Sequence, residues 1–510
     1  MSIKIYPTIP TAPYCSDYSV LVNGRLTPLN TARVSAVPYN RRWPGFQRPK
    51  DQSEAVQFLS MAADEPLSFE IIPQMPFDTE ALKIRPRSLG IVPKIVDGKI
   101  LFTLPKPAYF TVEPCGRNRA LHIFVDPIRE YDIDRKDENL IYFGAGEHDV
   151  GMIEMQSNQT LYLDEGAVVY ACVHAVDADN IRILGRGILD NSRNKEQILY
   201  QPTSDNQDMA VNNAKRTHTV QLEYCNNIEI DGITIRDSLV YNIRPVGCRD
   251  LPVKNVKIIG CWRYNSDGID MHNCVNVHID SCFIRTFDDS ICVKGFDCYY
   301  EGDVEQAVRE AMYRNGKRYD VFQNVVVENC VIWNDWGKCL EIGAETRAED
   351  ISNIHFRNCD LIHLMGTALD CMNVDYADVH DVTFSNIRIE ADEIIPKPMI
   401  QRDDSAPYIN TDLEYMPYTV GLSVEFHREY SAGGARRGKN RDFRFHHIYL
   451  YGDHAPKVRF KGYDETHKTE NVCVSDLYWN GEPITQLEGE NRNVGEYTDN
   501  IRIVLSGDEG

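Results

Sequence analysis

The sequence predicts an all-β protein in which an N-terminal β-sandwich precedes a long β-solenoid. From about residue 180 onward a short unit recurs, beginning with Asn or Asp and continuing as alternating apolar and polar residues. Recurrence of such strands without helical patterns between them is typical of a β-solenoid. Residues 1–155 instead show frequent Pro and short alternating runs separated by turn signals, which is typical of an antiparallel sandwich. We expect the boundary between the two parts at 155–156, with the solenoid covering 156–510.

The repeat defines the coils of the predicted solenoid. Most neighbouring copies are 21 to 29 residues apart, a length that suits short strands joined by turns. Larger gaps predict coils that carry insertions, at about 296–321 and 391–440. The repeated Asn is expected to form a ladder of turns. The copies begin at Asn180, Asn227, Asn255, Asn276, Asn324, Asn353, Asp381, Asp442 and Asn471.

Cysteine usage fits the same repeat. Cys261, Cys282, Cys330 and Cys359 each lie six residues after the first residue of their copy, which predicts one column in the core. Buried cysteine behaves as a small hydrophobe, and this interpretation is preferred to a redox or metal role. The 15 cysteines include no CxxC pair and no zinc-like His/Cys spacing, so reduced thiols in a cytoplasm and no metal site are predicted.

Charge excludes several classes of function. Lys and Arg number 54 against 76 Asp and Glu, a formal net charge of −22, so a nucleic-acid or anionic-membrane partner is not expected. No stretch approaches 18 uninterrupted apolar residues, and the first residues lack a signal-peptide pattern, which favours a cytoplasmic location. The Gly-Ala-Gly at 144–146 has no helix behind it, so no dinucleotide or other cofactor is predicted.

Two aspartates mark the candidate catalytic turn. Asp267 and Asp288 each lie twelve residues after the Asn of their copy, which predicts one position in adjacent coils, about 4.8 Å apart at the backbone; Asp289 follows directly. Like charges this close resist joint ionisation, so one carboxyl should hold a proton. A protonated and an ionised carboxyl are what glycoside hydrolysis requires. The alternative is an exposed acidic turn without a catalytic role, and the matched positions of the aspartates favour the catalytic role.

Other residues are predicted to join this cluster. The following coil contributes Gly337-Lys338-Cys339 at the same turn, so the Lys338 side chain could reach the aspartates. Glu341 and Asp370 each lie seventeen residues after the Asn of their copy and are predicted neighbours on one face. Tyr241, in the preceding coil, is either a sugar-stacking platform or an exposed packing aromatic.

Several motifs resemble those of glycoside hydrolase family 28, the polygalacturonases, and of family 49, the dextranases and isopullulanase. They are GRGILD (185–190), ITIRDSLVYNIRPVGC (233–248), NSDGID (265–270), DDSICVKG (288–295) and LEIGAE (340–345). The resemblance implies a right-handed parallel β-helix and hydrolysis with inversion. It makes Asp288 the general acid, has Asp267 and Asp289 hold the attacking water, and adds Lys294 to the substrate-binding residues.

Departures from family 28 bear on the substrate. Lys338 stands where polygalacturonases have a His, and Ala368 and Asp370 stand where they have the Arg and Lys that bind the galacturonate carboxylate. Asp370 beside Glu341 would repel a uronic acid. Family 49 also lacks the basic pair, acts on neutral α-glucans and carries an N-terminal sandwich.

The predicted function is therefore inverting hydrolysis of a neutral α-linked oligo- or polysaccharide, with imported oligosaccharides as substrates. Three alternatives remain: a polygalacturonase-type hydrolase, a non-catalytic carbohydrate-binding solenoid, and a lyase or epimerase with Lys338 as base. The missing basic subsite argues against the last. Neither the sugar nor the oligomeric state follows from the sequence.

Overall fold

The computed structural model describes residues 3–36, 41–42, 52–194, 218–263, 265–296, 312–391, 399–400, 409–410, 417–427, 430–431 and 436–504. Strands dominate this part of the chain, with two short 3-10 turns at Arg87–Leu89 and Gly489–Asn491. Within the described ranges no helix has the length and apolar character needed to cross a bilayer.

Two sheets form the N-terminal sandwich, in the orders β1-β6-β12-β11-β8, with β4 on β6, and β3-β2-β7-β10-β9. Alternate residues of both sheets face a shared core that includes Val20, Phe69 and Phe110. Strand β5 lies outside both sheets and pairs with β38 of the C-terminal part. The bounds are β1 Ile3–Ile5, β2 Tyr18–Val22, β3 Arg25–Thr27, β4 Asn30–Ser35, β5 Arg41–Arg42, β6 Ser53–Ala63, β7 Leu67–Pro73, β8 Lys83–Arg85, β9 Lys94–Val96, β10 Lys99–Leu104, β11 Tyr109–Arg117 and β12 Leu121–Pro127.

A single 30-stranded sheet winds through the rest of the described chain. Apart from the short β43–β44 pair, its strands join in parallel to the equivalent strands of neighbouring coils, which makes a parallel β-helix with three faces, A, B and C. This architecture confirms the predicted fold class. The sheet starts at Leu140, ahead of the boundary that the sequence suggested.

Face A carries the longest strands and face B the strands against which the sandwich packs. Phe58 and Phe124 of the sandwich meet Phe283 and Trp333 of face B in one buried cluster. Face A consists of β13 Leu140–Phe143, β15 Thr160–Leu163, β17 Asp179–Gly185, β20 Asn226–Asp231, β23 Arg249–Lys254, β26 Val275–Asp280, β31 Val321–Glu328, β34 Asp350–Arg357, β37 Asp378–Glu390, β41 Lys439–Tyr451, β43 Thr469–Trp479 and β46 Thr498–Val504. Face B consists of β14 Gly146–Glu154, β16 Ala167–Val176, β18 Ile188–Asp190, β21 Thr234–Arg236, β24 Lys257–Ile259, β27 Phe283–Thr286, β32 Val331–Asn334 and β35 Asp360–His363.

Face C carries the strands that follow the candidate catalytic turn. About half of each insertion predicted at 296–321 and 391–440 lies outside the described residues, and the second range is too wide, because Val420–Val424 is a strand of face C. Face C consists of β19 Val220–Glu223, β22 Ile243–Val246, β25 Ile269–His272, β28 Ile291–Lys294, β33 Leu340–Ala344, β36 Leu369–Asn373, β40 Val420–Val424, β42 Val458–Lys461 and β45 Arg492–Val494. The remaining strands are β29 Tyr313–Arg314, β30 Lys317–Arg318, β38 Met399–Ile400, β39 Ile409–Asn410 and β44 Glu482–Pro483.

An asparagine ladder runs along one turn of the coils. Asn324 has a φ of 61°, a left-handed conformation that Asn tolerates, and its amide donates to Asn276 Oδ1 at 2.9 Å. Asn353 donates in turn to Asn324 Oδ1 at 2.8 Å. Asn255, which the repeat placed in this ladder, is an exception, because Asp250 occupies that position and accepts from Asn276 at 2.8 Å. Asn255 belongs to the next turn of its coil.

Because Asn255 lies in a different turn from the other asparagines of the repeat, the membership of the cysteine column also differs from the prediction. The register pairs Phe283 with Val331 and Val331 with Asp360, so the preceding residues Cys282, Cys330 and Cys359 stack as predicted. Cys261 is not a member, because its place was counted from Asn255. All four thiols are buried.

Candidate active site

The candidate catalytic turn joins face B to face C. Ile269 pairs with Ile291, so the residue two positions earlier in each coil also corresponds: Asp267 lies beside Asp289. The sequence had matched Asp267 with Asp288, and that match is wrong because it was counted from Asn255. Oxygen atoms of Asp267, Asp288 and Asp289 nevertheless lie within 4.8 Å of one another.

Lys338 is the next member of this column, since Ile291 pairs with Leu340. Its backbone N–H donates to Asp289 Oδ1 at 2.9 Å. Gly337, directly before it, has a φ of 79°, and a Cβ atom there would lie 2.5 Å from the Asp289 nitrogen and 2.6 Å from the Asp288 carbonyl carbon. The aspartate turn therefore requires glycine at position 337.

Gly337→Ala is expected to displace the aspartate turn and to lower kcat about tenfold to a hundredfold, because catalysis is sensitive to shifts near 1 Å. Gly316→Ala is the matched control: Gly316 has a similar φ of 74°, but a Cβ atom there would meet no other atom within 4 Å. Steady-state kinetics of both variants measure the effect. Equal losses in the two variants would contradict the requirement for close approach at Gly337.

A second column, on face C, is acidic. Glu341 and Asp370 are direct partners in the register, and Asp270 lies further along the same column through Cys292. The ammonium of Lys338 contacts Glu341 Oε1 and lies 2.7 Å from Asp370 Oδ2. Lys338 was expected to reach the aspartate turn with its side chain; its contact there is through the backbone, because the ammonium is held between the two carboxylates.

Lys294 is the counter-ion of the aspartate turn. Its ammonium lies 2.7 Å from Asp270 Oδ2, 3.7 Å from Asp267 Oδ2 and 3.8 Å from Asp289 Oδ2. Glu345 Oε2 is also 3.7 Å away. Burial by itself would lower the pKa of Lys294, but Asp270 and Glu345 outweigh it and the pKa lies well above its ordinary value. Lys294 therefore stays charged and offsets part of the negative charge of the four carboxyl groups around it.

Two aspartates of the turn, Asp288 and Asp267, have raised pKa values. Burial raises the pKa of Asp288 well above its usual range, and the neighbouring Asp289 carboxylate raises it further. Burial, followed by Asp270 and Asp288, does the same for Asp267, while Lys294 opposes the shift in both. Asp267 Oδ1 is buried and accepts no hydrogen bond from any residue that the structure describes. The turn thus combines a carboxyl group that favours its protonated form with a buried carboxylate oxygen that lacks a donor among the described residues.

Most of these side chains line a cavity of about 320 Å³, at the lower end of the range for ligand pockets; Asp270 and Asp370 are not among the lining residues. Tyr241 lines it, although only 4% exposed, with its ring centre 5.4 Å from Lys294 Nζ. The sequence had left Tyr241 as either a stacking platform or an exposed aromatic, and it is buried. The lining includes Tyr241, Asn265, Asp267, Asp288, Asp289, Lys294, Trp336, Lys338, Glu341, Glu345, Met365, Thr367, Met372 and Tyr430.

Asp270 and Glu345 are site residues that sequence reasoning missed. Both lie within motifs already singled out, NSDGID and LEIGAE. Counting offsets from the repeat could not find them, since the turns between strands differ in length from coil to coil.

The three aspartate carboxylates are close enough to chelate a cation. Lys294 already supplies positive charge there.

Residues 146–405, slightly more than half of the chain, match the family model described as "Glycosyl hydrolases family 28". The chain belongs to this family. This confirms the resemblance that its motifs indicated. The family 28 motifs at 265–270, 288–295 and 340–345 all lie inside the matched region.

Among curated relatives, a "Polygalacturonase" from Gossypium barbadense is 23% identical over 222 residues, which cover 41% of this chain and 50% of the relative. A "Probable polygalacturonase" from Vitis vinifera is 34% identical over 86 residues, covering 16% and 18%. The chain thus spans half or less of the length of these relatives. Among solved structures, Dex49A from Penicillium minioluteum superimposes with a TM-score of 0.55 at 13% identity, covering 98% of this chain and 96% of that one. The likeness to Dex49A concerns the fold.

Proposed function

We propose that this family 28 member hydrolyses α-glycosidic bonds with inversion, with Asp288 as general acid and Asp267 and Asp289 as the pair that holds water. The observation that carries the proposal is the convergence of the three carboxyl groups, within 4.8 Å, on one side of the cavity. Burial raises the pKa of Asp288 well above its usual range, which favours the protonated form that a general acid requires.

In the proposed reaction, Asp288 transfers its proton to the glycosidic oxygen as the bond from that oxygen to the anomeric carbon breaks. A water molecule held by Asp267 and Asp289 forms the new bond from the opposite face of the sugar. A proton of this water passes to one of these two carboxylates. That group later releases the proton to solvent, and Asp288 takes up a proton from solvent, which restores the starting state. The product is a β-anomer from an α-linked substrate.

Stereochemistry is a separate point in the proposal. Carboxyl groups in inverting enzymes are typically about 6.5–9.5 Å apart, and about 5–5.5 Å in retaining ones. The nearest oxygens here are within 4.8 Å, so the spacing rule alone would favour retention. We propose inversion because the family resemblance implies it and because three carboxyl groups, rather than two, allow a water to lie between Asp267 and Asp289.

We propose a neutral substrate. The Lys338 ammonium is already held between the carboxyl groups of Glu341 and Asp370, at the position where polygalacturonases bind a carboxylate. A sugar carboxylate would be repelled there, whereas sugar hydroxyls can donate to the acidic oxygens. Polygalacturonide is the second candidate. The names of the curated relatives favour it, and so does the Lys338 ammonium, which is 22% exposed and could pair with a carboxylate.

The test is incubation of the purified protein with neutral α-linked oligosaccharides and with oligogalacturonides, with product anomers followed by proton NMR. We expect β-anomers to appear first from a neutral substrate, with kcat/KM at least tenfold above that for any galacturonide. First appearance of the α-anomer would disprove inversion. Cleavage of galacturonides alone would disprove the neutral substrate, and binding without turnover of any substrate would favour the carbohydrate-binding solenoid.

A further inference from the structure

We propose that the N-terminal sandwich positions the general acid, and that Arg117 is the sandwich residue through which it does so. The inference rests on the proposed function, because it concerns the geometry of Asp288. Arg117 touches neither the cavity nor the aspartates, and it is a positioning residue. Three successive contacts connect it to the Asp288 backbone.

The first contact is made by Asn334, at the end of strand β32. Its side-chain amide is buried and donates to the Asp288 carbonyl at 2.8 Å and to Ser290 Oγ at 3.1 Å. The same amide nitrogen lies 3.2 Å from the Lys338 carbonyl oxygen. Asn334 therefore ties the turn that carries Asp288 to the adjacent turn that carries Lys338. A movement of Asn334 moves the backbone from which the acid projects.

The second contact is made by the next residue, Asp335, which is fully buried. Its backbone N–H donates to the Thr286 carbonyl at 2.9 Å, two residues before Asp288. Its carboxylate accepts from Arg285 Nε at 3.2 Å and from Trp333 Nε1 at 2.8 Å. Burial would raise the pKa of Asp335, but Arg285 and Arg117 outweigh it and lower the pKa, so the carboxylate is ionised.

The third contact crosses from the β-helix to the sandwich. Arg117, the last residue of β11, donates from Nη2 to Asp335 Oδ1. The sandwich also contacts the partner of Asp335: Arg285 Nη2 donates to the Ser35 carbonyl at 3.3 Å, and Arg285 Nη1 to His122 Nε2 at 3.2 Å. Burial, followed by Arg285, lowers the pKa of His122 to about 3, so its imidazole is neutral and can accept.

Through these contacts the sandwich helps to hold the backbone of the aspartate turn in position. Without Arg117, one oxygen of the fully buried Asp335 carboxylate loses its cationic partner. The carboxylate can then lower its free energy by rotating or by binding a water molecule. Either response shifts Asn334, its neighbour in the chain, and with it the Asp288 carbonyl. Substrate contacts inside the cavity are left in place, so the rate constant should change more than the affinity.

The experiment compares Arg117→Met with Arg129→Met in the full-length protein. Arg129, after the last sandwich strand, also forms an ion pair with a fully buried aspartate of the β-helix, Asp231. The residue after Asp231, Gly232, donates to the Lys254 carbonyl and not to the aspartate turn. The two variants therefore each remove one ion pair between the two parts of the chain, with Arg129 the more exposed arginine at 39% against 15% for Arg117. We measure kcat and KM on the substrate identified above, together with the melting temperature.

Arg117→Met is expected to lower kcat about tenfold to a hundredfold with KM changed less than threefold, whereas Arg129→Met keeps kcat within twofold. Arg117→Lys, which retains the charge, should recover part of the lost kcat and also serves if the Met variant does not fold. Equal kcat in the Arg117 and Arg129 variants, or a loss confined to KM or to melting temperature, would overturn the inference. Failure of the proposed function is a different result, namely no turnover by the unmodified protein.

Discussion

Asp288→Asn is expected to lower kcat by about a thousandfold, within the 10²–10⁴ range of general acid catalysis, with little change in substrate affinity. Asn has nearly the shape of Asp but cannot transfer a proton to the leaving oxygen. Burial raises the pKa of Asp288 well above its usual range and so favours the neutral form, which Asn resembles in shape and charge. The fold and the binding of substrate should therefore survive.

Asp250→Asn is the matched control for this substitution. Asp250 occupies a position in the asparagine ladder that other coils fill with Asn, and its Oδ1 accepts from Asn276 at 2.8 Å. An amide suits that position, so activity should stay within twofold. Kinetics give kcat, and calorimetric titration of each variant with substrate gives the affinity. Retention of more than a tenth of kcat in Asp288→Asn would falsify the role of Asp288 as general acid.

Lys294→Met is expected to lower the free energy of unfolding by about 3–5 kcal/mol, the usual effect of removing one partner of a buried ion pair. Lys294 is 4% exposed and its ammonium lies within 3.8 Å of four carboxylates. Lys99→Met is the control, because Lys99 forms a single surface pair with Glu70 at 2.6 Å, and removal of such a pair should leave the free energy of unfolding nearly unchanged. Urea denaturation of the two variants measures the difference.

The pH dependence of Lys294→Met tests the same counter-ion in catalysis. Lys294 lowers the pKa of Asp267 and Asp270 against the effect of burial, so its removal raises both. A carboxylate that holds water must be ionised, and the acidic limb of the kcat/KM profile should therefore move to higher pH, with lower activity at neutral pH. An unshifted acidic limb, in a variant that remains folded, would show that Lys294 does not control ionisation of the aspartates.

The local pattern of the sequence was sufficient for the fold and for much of the site. Alternation of apolar residues and recurrence of Asn predict coils whatever the details of their contacts, and DDSICVKG and NSDGID carry the three aspartates. Glu341 and Asp370 were expected as neighbours from equal offsets and are register partners. Such inferences succeed where a coil has a uniform length.

Contacts between coils and between the two parts of the chain were decided by the tertiary structure. Turn lengths vary, so counting from Asn255 matched Asp267 with Asp288, whereas strand pairing brings Asp289 beside it. Lys338 could contact either the aspartate turn or the acidic pair, and the two carboxylates of that pair hold its ammonium. Arg117 and Asp335 are 218 positions apart in sequence and meet because the sandwich packs on face B. The sequence by itself determined the repeating strands and the acidic motifs, since both are local patterns. The strand register and the packing of the two parts of the chain determined which charged groups meet, because such contacts depend on distances in space that no local pattern contains.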